Sequence, residues 1–237
     1  SHGRGKQFMY DEGLHVPLVI AGPGIDKGSV RDDLAEHIDI AALSLGAAGI
    51  AIPDGMQARD ILAEDYQPRE AVFSARDRCD ETVDHMRAVR TKDFKYIRNF
   101  LPKRPYLQPC AYKDAKAILI ALRDWNEAGK LDDVQALLFR EERPEEELYD
   151  LNADPYEIRN LAADPAHAET LKAMRDRLDT WMEETGDQGR EPESPEMFDS
   201  DMAVYLDKFK GAKANPTHKK IIEDNIALMR RWAAEGK

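Results

Sequence analysis

Residues 146–161 have the sequence EELYDLNADPYEIRNL, the densest structural signal in the chain. Within it, residues 148–151 (LYDL) predict a short strand. Asp154-Pro155 predicts a turn, because proline fixes its own φ and biases the residue before it toward an extended conformation. A long amphipathic helix is predicted to begin near Asp164-Pro165. The stretch therefore predicts a strand, a turn and a helix in quick succession.

Three more strands are predicted upstream. Residues 71–74 are the short, mostly apolar run AVFS. Residues 86–90 alternate apolar and basic side chains, and residues 94–98 follow a Thr-Lys-Asp turn. The last two therefore predict a hairpin, and with 148–151 a small antiparallel sheet. The long helix is expected to pack on this sheet through one apolar stripe, which consists of Leu171, Met174, Leu178, Trp181 and Met182.

The two ends of the chain predict different structures. Residues 16–21 are an apolar run before Gly-Pro-Gly, which predicts a buried strand, and 31–46 have helical spacing. A strand followed by a helix suits the edge of an α/β layer. Residues 188–195 predict a polar loop, and a last helix over about 217–235 has a broad apolar face. That face needs a partner surface, either on the main body or on another subunit.

Composition excludes some classes of function. Formal net charge is −12, so general nucleic-acid binding is not expected, and no apolar run approaches the roughly 20 residues that span a bilayer. The two cysteines, Cys79 and Cys110, have no metal-binding spacing and are expected to be reduced thiols. A polyanionic substrate would need a local basic pocket.

Two groups of residues are candidates for chemistry. Gly3 and Gly5 let the backbone approach an anion or metal closely, and Lys6 can serve as a point charge for a sulfate or phosphate oxygen. Taken alone, these residues favour a flexible terminus. Residues 76–85 (RDRCDETVDH) predict a charged loop between two strands. This loop is either a salt-bridged surface or a substrate rim, with arginines for sulfate or carboxylate and acids for sugar hydroxyls.

Several of these stretches resemble sulfatases of the alkaline-phosphatase-like superfamily. Residues 146–161 resemble the block ELYDL-x-x-DP-x-E-x-x-NLA near the sulfatase C-terminus, and residues 5–18 resemble the Gly-Lys and Y-(D/E)-x-G-(I/L)-x-VPL stretch that contacts sulfate and leads into the next strand. Residues 76–99 are similar to the branch related to heparan N-sulfatase. The aspartate that the family has before its His-Gly is absent, since Ser1 precedes His2.

The resemblance implies an α/β, alkaline-phosphatase-like fold. Residues 1–63 would be the C-terminal end of the large α/β domain. Residues 64–190 would be a C-terminal subdomain, a small antiparallel sheet packed by a long helix, and 191–237 a helical tail. The expected activity is hydrolysis of a sulfate ester or sulfamate on a glycan.

The resemblance also implies site residues and cofactors. Lys6 would be catalytic through its contact with sulfate, and His2 a metal ligand. Substrate-binding roles would fall to Arg76, Asp77, Asp84 and His85. The family uses Ca2+ or a similar divalent cation and a formylglycine nucleophile made in a C/S-x-P/A-x-R motif. Neither cysteine here stands in that motif, so the nucleophile is expected from a missing N-terminal half of the same protein.

Two alternatives remain open at this point. A phosphonate or phosphodiester hydrolase would share the fold and the type of nucleophile. A noncatalytic interaction fragment would be a different class of protein. The expected partners are a small-molecule or glycan sulfate, the N-terminal half, and a second copy through the helical tail; neither nucleic acid nor a membrane is expected. The compartment is left open.

Overall fold

A four-stranded antiparallel sheet organises the computed structural model, which describes residues 4–209 and 215–237. Its strands are β1 (Val72–Cys79), β2 (Thr82–Arg90), β3 (Phe94–Asn99) and β4 (Glu146–Asp150), in that spatial order. Each strand pairs with the next in sequence; Val89, for example, lies between Phe73 and Tyr96. The predicted small antiparallel sheet is therefore confirmed.

The helices, in chain order, are α1 to α8. Their bounds are α1 Asp11–Leu14, α2 Asp39–Ala47, α3 Ala111–Asp114, α4 Ala117–Glu127, α5 Asp133–Ala136, α6 Ala168–Glu184, α7 Pro195–Asp207 and α8 Pro216–Ala234. Two 3-10 turns, Leu137–Phe139 and Pro165–His167, extend α5 and precede α6. No described helix is long and apolar enough to cross a membrane.

One face of the sheet carries the long helix α6. The Asp164 side chain accepts a hydrogen bond from the Ala166 amide and so caps the 3-10 turn that leads into α6, as the Asp-Pro signal predicts. The apolar stripe of α6 packs on the strands, and the Trp181 ring stacks on Phe73 with centroids 5.0 Å apart. The buried cluster on this face consists of Val89, Tyr96, Leu148, Leu161, Met174, Leu178 and Met182.

The opposite face of the sheet carries the N-terminal segment. Its buried cluster combines side chains of residues 8–10 with strand residues and with the region of α3 to α5; the members are Phe8, Met9, Tyr10, Met86, Ala88, Ile97, Leu107, Leu119, Leu138 and Tyr149. Because side chains alternate along a strand, Met86 and Ala88 face this cluster, whereas Val89 faces α6. The sheet is thus covered on both sides.

A third cluster joins the last two helices to α3. Phe198 and Met202 of α7 meet Ile222, Ile226 and Met229 of α8. Ala111 of α3 completes the cluster. The apolar face of the last helix therefore packs against the main body of its own chain. The predicted homo-oligomer and the domain limits at residues 63 and 190 stay predictions.

Three local predictions are wrong. Residues 16–21 form no strand, and Val19 is 89% exposed, because the described part of the chain offers no neighbouring strand with which they could pair. The predicted helix over 31–46 begins only at Asp39. Residues 76–85 are also not a loop: β1 runs to Cys79 and β2 starts at Thr82, with the turn between them at Asp80 and Glu81.

Candidate functional site

Lys6 lies in a segment that is fixed to the sheet. Phe8, Met9 and Tyr10 are each only 4% exposed, whereas Lys6 is exposed. The Tyr10 hydroxyl donates a hydrogen bond of 2.8 Å to Oε2 of Glu147 on β4. Three buried side chains that follow Lys6 therefore hold the loop, which is not the flexible terminus that the residues alone allow.

Charged groups strengthen this attachment. Asp11 binds Lys95 and accepts from Arg90 at 3.1 Å, and Lys95 Nζ also lies 2.9 Å from Glu157 Oε1. Burial raises the pKa of Asp11, but Lys95 and Arg90 outweigh burial, so the pKa lies below its usual range. Arg4 donates to the Glu157 carbonyl at 2.8 Å. The segment is thus held on both sides of Lys6.

The backbone beside Lys6 is strained. Gln7 has φ 87°, a conformation that favours glycine, and such a residue costs on the order of 1–3 kcal/mol. The Arg76 guanidinium donates to the Gln7 carbonyl and so helps to maintain this conformation. Arg76 therefore helps to position the loop that carries Lys6, through a bond to the loop's backbone at Gln7.

Lys6 lies among other cations and aromatic rings. Its Nζ is 5.1 Å from the centroid of Tyr112, and Lys116 Nζ is 4.7 Å from the same centroid. Lys113 Nζ lies 4.4 Å from the Phe8 centroid. Burial, with a further contribution from Arg76, lowers the pKa of Lys113 to about 8. We call Lys6, Tyr112, Lys113 and Lys116 the lysine cluster.

Beneath this loop Asp84 is buried and the side chain of Arg76 is largely buried. Asp84 has no exposed surface and binds the Arg143 guanidinium through both carboxylate oxygens, with Arg143 Nη1 2.9 Å from Oδ2. Arg76 Nη1 lies 3.5 Å from the same Oδ2. Burial raises the pKa of Asp84, but the two arginines outweigh it and the pKa lies below its usual range. The predicted rim acid is thus placed as an internal counter-ion.

Asp77 and His85 lie elsewhere. Asp77 accepts a 2.7 Å hydrogen bond from Arg87, which also binds Asp187 at 2.9 Å. His85 is buried, with Nδ1 3.3 Å from the Gly189 carbonyl oxygen. Asp84 and His85 are consecutive on β2, so their side chains face opposite sides of the sheet. The structure therefore brings Arg76 and Asp84 to the Lys6 loop, and Asp77 and His85 to the loop after α6.

The described residues do not fit a calcium site. His2 lies outside them. Within residues 4–209 and 215–237, the group of His, Cys, Asp and Glu ligand atoms close enough to share an ion is Asp80, Glu81 and Cys110. Ca2+ takes six to eight oxygen ligands, whereas burial and then Glu81 raise the pKa of the Cys110 thiol. Glu81 Oε1 instead accepts hydrogen bonds of 2.7 Å from the Ala111 amide and from Asn225.

Sequence reasoning missed the partners of Lys6. Tyr112, Lys113 and Lys116 lie in a stretch without a recognisable motif, more than a hundred residues from Lys6. Arg143 carries no distinguishing signal in a region dense with charge. Only the packing of α3 against the N-terminal segment brings these side chains together.

Comparison with known proteins finds similar sulfatases. The family described as N-sulphoglucosamine sulphohydrolase, C-terminal, matches residues 2–106. An ulvan-active sulfatase of Formosa agariphila is 36% identical over 194 residues, which cover 81% of this chain and 32% of that protein. The N-sulphoglucosamine sulphohydrolase of Homo sapiens is 28% identical over 204 residues, covering 77% of this chain and 39% of the relative.

The fold is also similar to that of a solved structure. A crystal structure from Bacteroides thetaiotaomicron, described as that of a candidate sulfatase, superposes with a TM-score of 0.52 at 21% identity and covers 90% of this chain and 35% of that one. This chain spans about a third of the length of the curated relatives it matches. In sequence, the chain is similar to the C-terminal portion of N-sulphoglucosamine sulphohydrolase and to an ulvan-active sulfatase, and its fold is similar to that of the Bacteroides structure.

Proposed function

We propose that this chain is part of an enzyme that hydrolyses a sulfate ester or sulfamate on a glycan, and that Lys6 binds the sulfate group. The relatives support the class of reaction, since their names are ulvan-active sulfatase and N-sulphoglucosamine sulphohydrolase. The observation that carries the role of Lys6 is its exposed ammonium group on a segment held by buried neighbours.

The physical role of Lys6 is electrostatic. A fixed ammonium group beside a sulfate stabilises negative charge on its oxygens, and it does so most effectively when little reorganisation is needed. The Arg76 hydrogen bond to Gln7 supplies part of that rigidity, so Arg76 acts as a positioning residue. Asp84 holds Arg76 and Arg143 from below without reaching the surface.

The proposal includes a divalent cation and a formylglycine, neither of which the described residues would supply. His2 is the proposed metal ligand of this chain. When bound, the cation would act as a Lewis acid toward the sulfate oxygens. The remaining ligands and the nucleophile are proposed to come from a further N-terminal portion of the same protein.

A sulfate-release assay on the whole protein tests this proposal. We expect Lys6→Ala to lower kcat/KM for a sulfated oligosaccharide by about a hundredfold, because removal of one stabilising donor has that order of effect. Lys172→Ala is the matched control, since Lys172 lies on α6 at the other face of the sheet and pairs with Asp176. Unchanged turnover in Lys6→Ala removes Lys6 from the site. Faster hydrolysis of a phosphodiester than of any sulfate ester would favour the phosphodiester hydrolase instead.

A further inference from the structure

The lysine cluster concentrates positive charge that the chain does not neutralise. Within the described residues, none of Lys6, Lys113 and Lys116 takes part in an ion pair, although the chain as a whole is acidic, at −12. The nearest acid in sequence, Asp114, is already occupied: it binds Arg123 at 2.6 Å and accepts from the Cys110 amide at 3.0 Å. Among the described residues, none of these three ammonium groups therefore has a carboxylate at ion-pair distance.

The cluster is held in shape by packing. Ala111 at the start of α3 is buried, and its amide donates 2.7 Å to Glu81. Lys113 lies against the buried Phe8 ring, and Tyr112 stands 46% exposed with Lys6 and Lys116 at its ring. Side chains that are already ordered lose little entropy when they bind a ligand. Packing therefore positions the backbone that carries Tyr112 and Lys113 before any ligand binds.

The chemistry of this surface suits an acidic sugar. The tyrosine hydroxyl can hydrogen-bond a sugar hydroxyl, and the ammonium groups over its ring can bind carboxylate or sulfate oxygens. Burial and the charge of Arg76 lower the pKa of Lys113, and Asp114 raises it by less. A bound anion would offset both.

We propose that Tyr112, Lys113 and Lys116 form a subsite for a second anionic group, a sulfate or carboxylate, on the sugar adjoining the one whose sulfate Lys6 binds. This inference rests on the proposed function, which it deepens: the preferred substrate is a glycan with acidic neighbouring sugars. The subsite adds to binding and does not take part in breaking the bond.

Kinetics on the whole protein test the subsite. The substrates are a sulfated disaccharide whose second sugar is a uronate and an aryl sulfate with a single anionic group. For Lys116→Ala we expect KM for the disaccharide to rise about tenfold, as for the loss of one charged contact, and kcat/KM for the aryl sulfate to stay unchanged. Lys172→Ala serves again as the control. An unchanged KM for the disaccharide, or an equal loss on both substrates, overturns the proposal.

A binding measurement separates this inference from the proposed function. Calorimetry with the same disaccharide, without its scissile sulfate, measures the Kd for a ligand that carries only the second anionic group. We expect a tenfold weaker Kd in Lys116→Ala and a smaller difference at high salt, because salt screens exposed charges. If no sulfate ester is hydrolysed but this difference is found, the proposed function fails and the subsite stands as an anion-binding site. If sulfate is released but wild type and variant bind alike, the subsite alone is overturned.

Discussion

Burial gives Asp84 a different role from the one that its sequence neighbours suggest. In the sequence it belongs to a run of acids and arginines that suits a substrate rim. In the structure it is fully buried between Arg143 and Arg76. A buried carboxylate that binds two guanidinium groups has no oxygen to spare for a sugar, so its main effect is on stability.

We therefore expect Asp84→Asn to lower the free energy of unfolding by about 3–5 kcal/mol, because it leaves buried arginines without their counter-ion. Urea unfolding at pH 7 measures this. Asp199→Asn is the control: Asp199 pairs with Arg230, but both are more than half exposed, so we expect less than about 1 kcal/mol. Equal stability of Asp84→Asn and wild type, together with a higher KM, would restore Asp84 to the substrate rim.

The same residue predicts a dependence on pH. The folded-state pKa of Asp84 is lowered, so its stabilising effect is complete above its unfolded pKa of about 3.9 and is lost as pH falls through the folded value. Wild type should therefore lose stability on acidification below about pH 4, and Asp84→Asn should lose less over the same range. Parallel losses in the two proteins would show that other carboxylates govern acid unfolding.

At the scale of elements, prediction succeeds where local pattern and packing agree. The β2–β3 hairpin follows from alternating side chains, and α6 from its apolar stripe between Pro165 and Gly186. Residues 16–21 fail because an apolar run specifies burial without specifying a partner strand. The sequence pattern does not predict α4, nor α7 as a separate helix within the helical tail, although Ser194 caps α7 and Pro195 is its first residue.

The sequence likewise predicts only part of the candidate site. Lys6 can be recognised in the sequence because a short motif surrounds it. Its neighbours Tyr112 and Lys116 cannot, because only tertiary packing brings them close to it. Alternation along β2 also separates Asp84 from His85, which a cluster in the linear sequence suggests are together. Spacing along the chain therefore found one residue of the cluster and none of its neighbours.

The attachment of α6 to the sheet gives a prediction for an element. Leu178 has no exposed surface and lies within the cluster that joins α6 to β2, β3 and β4. We expect Leu178→Ala to lower the free energy of unfolding by about 2–5 kcal/mol, through lost apolar contact and the cavity left behind. Glu183→Ala, at an exposed position of the same helix, should stay within about 0.5 kcal/mol. Similar urea midpoints for both variants would mean that α6 contributes little to the sheet's stability.

At the scale of the whole molecule, the sheet is covered on both faces, but the stretch that precedes α2 is not covered. Val19 is 89% and Val30 94% exposed, and Val16 and Leu18 are about half exposed. Several exposed apolar side chains in one segment suit an interaction site or a tendency to aggregate. Its position between the Lys6 segment and α2 suits contact with the N-terminal portion of the enzyme that we propose.

We therefore expect the 237-residue chain, produced alone, to self-associate through residues 16–30. Light scattering after size-exclusion chromatography should show a mass that rises with concentration, and Val19→Ser with Val30→Ser should shift it toward that of one chain, because two exposed apolar side chains are removed. Val204→Ser, at a 64% exposed position of α7, is the matched variant for association through the helical tail. If Val204→Ser alone lowers the mass, the tail is the interface. A monomeric chain that melts cooperatively at every concentration would show that residues 16–30 need no partner, and would count against the proposed contact with a larger enzyme.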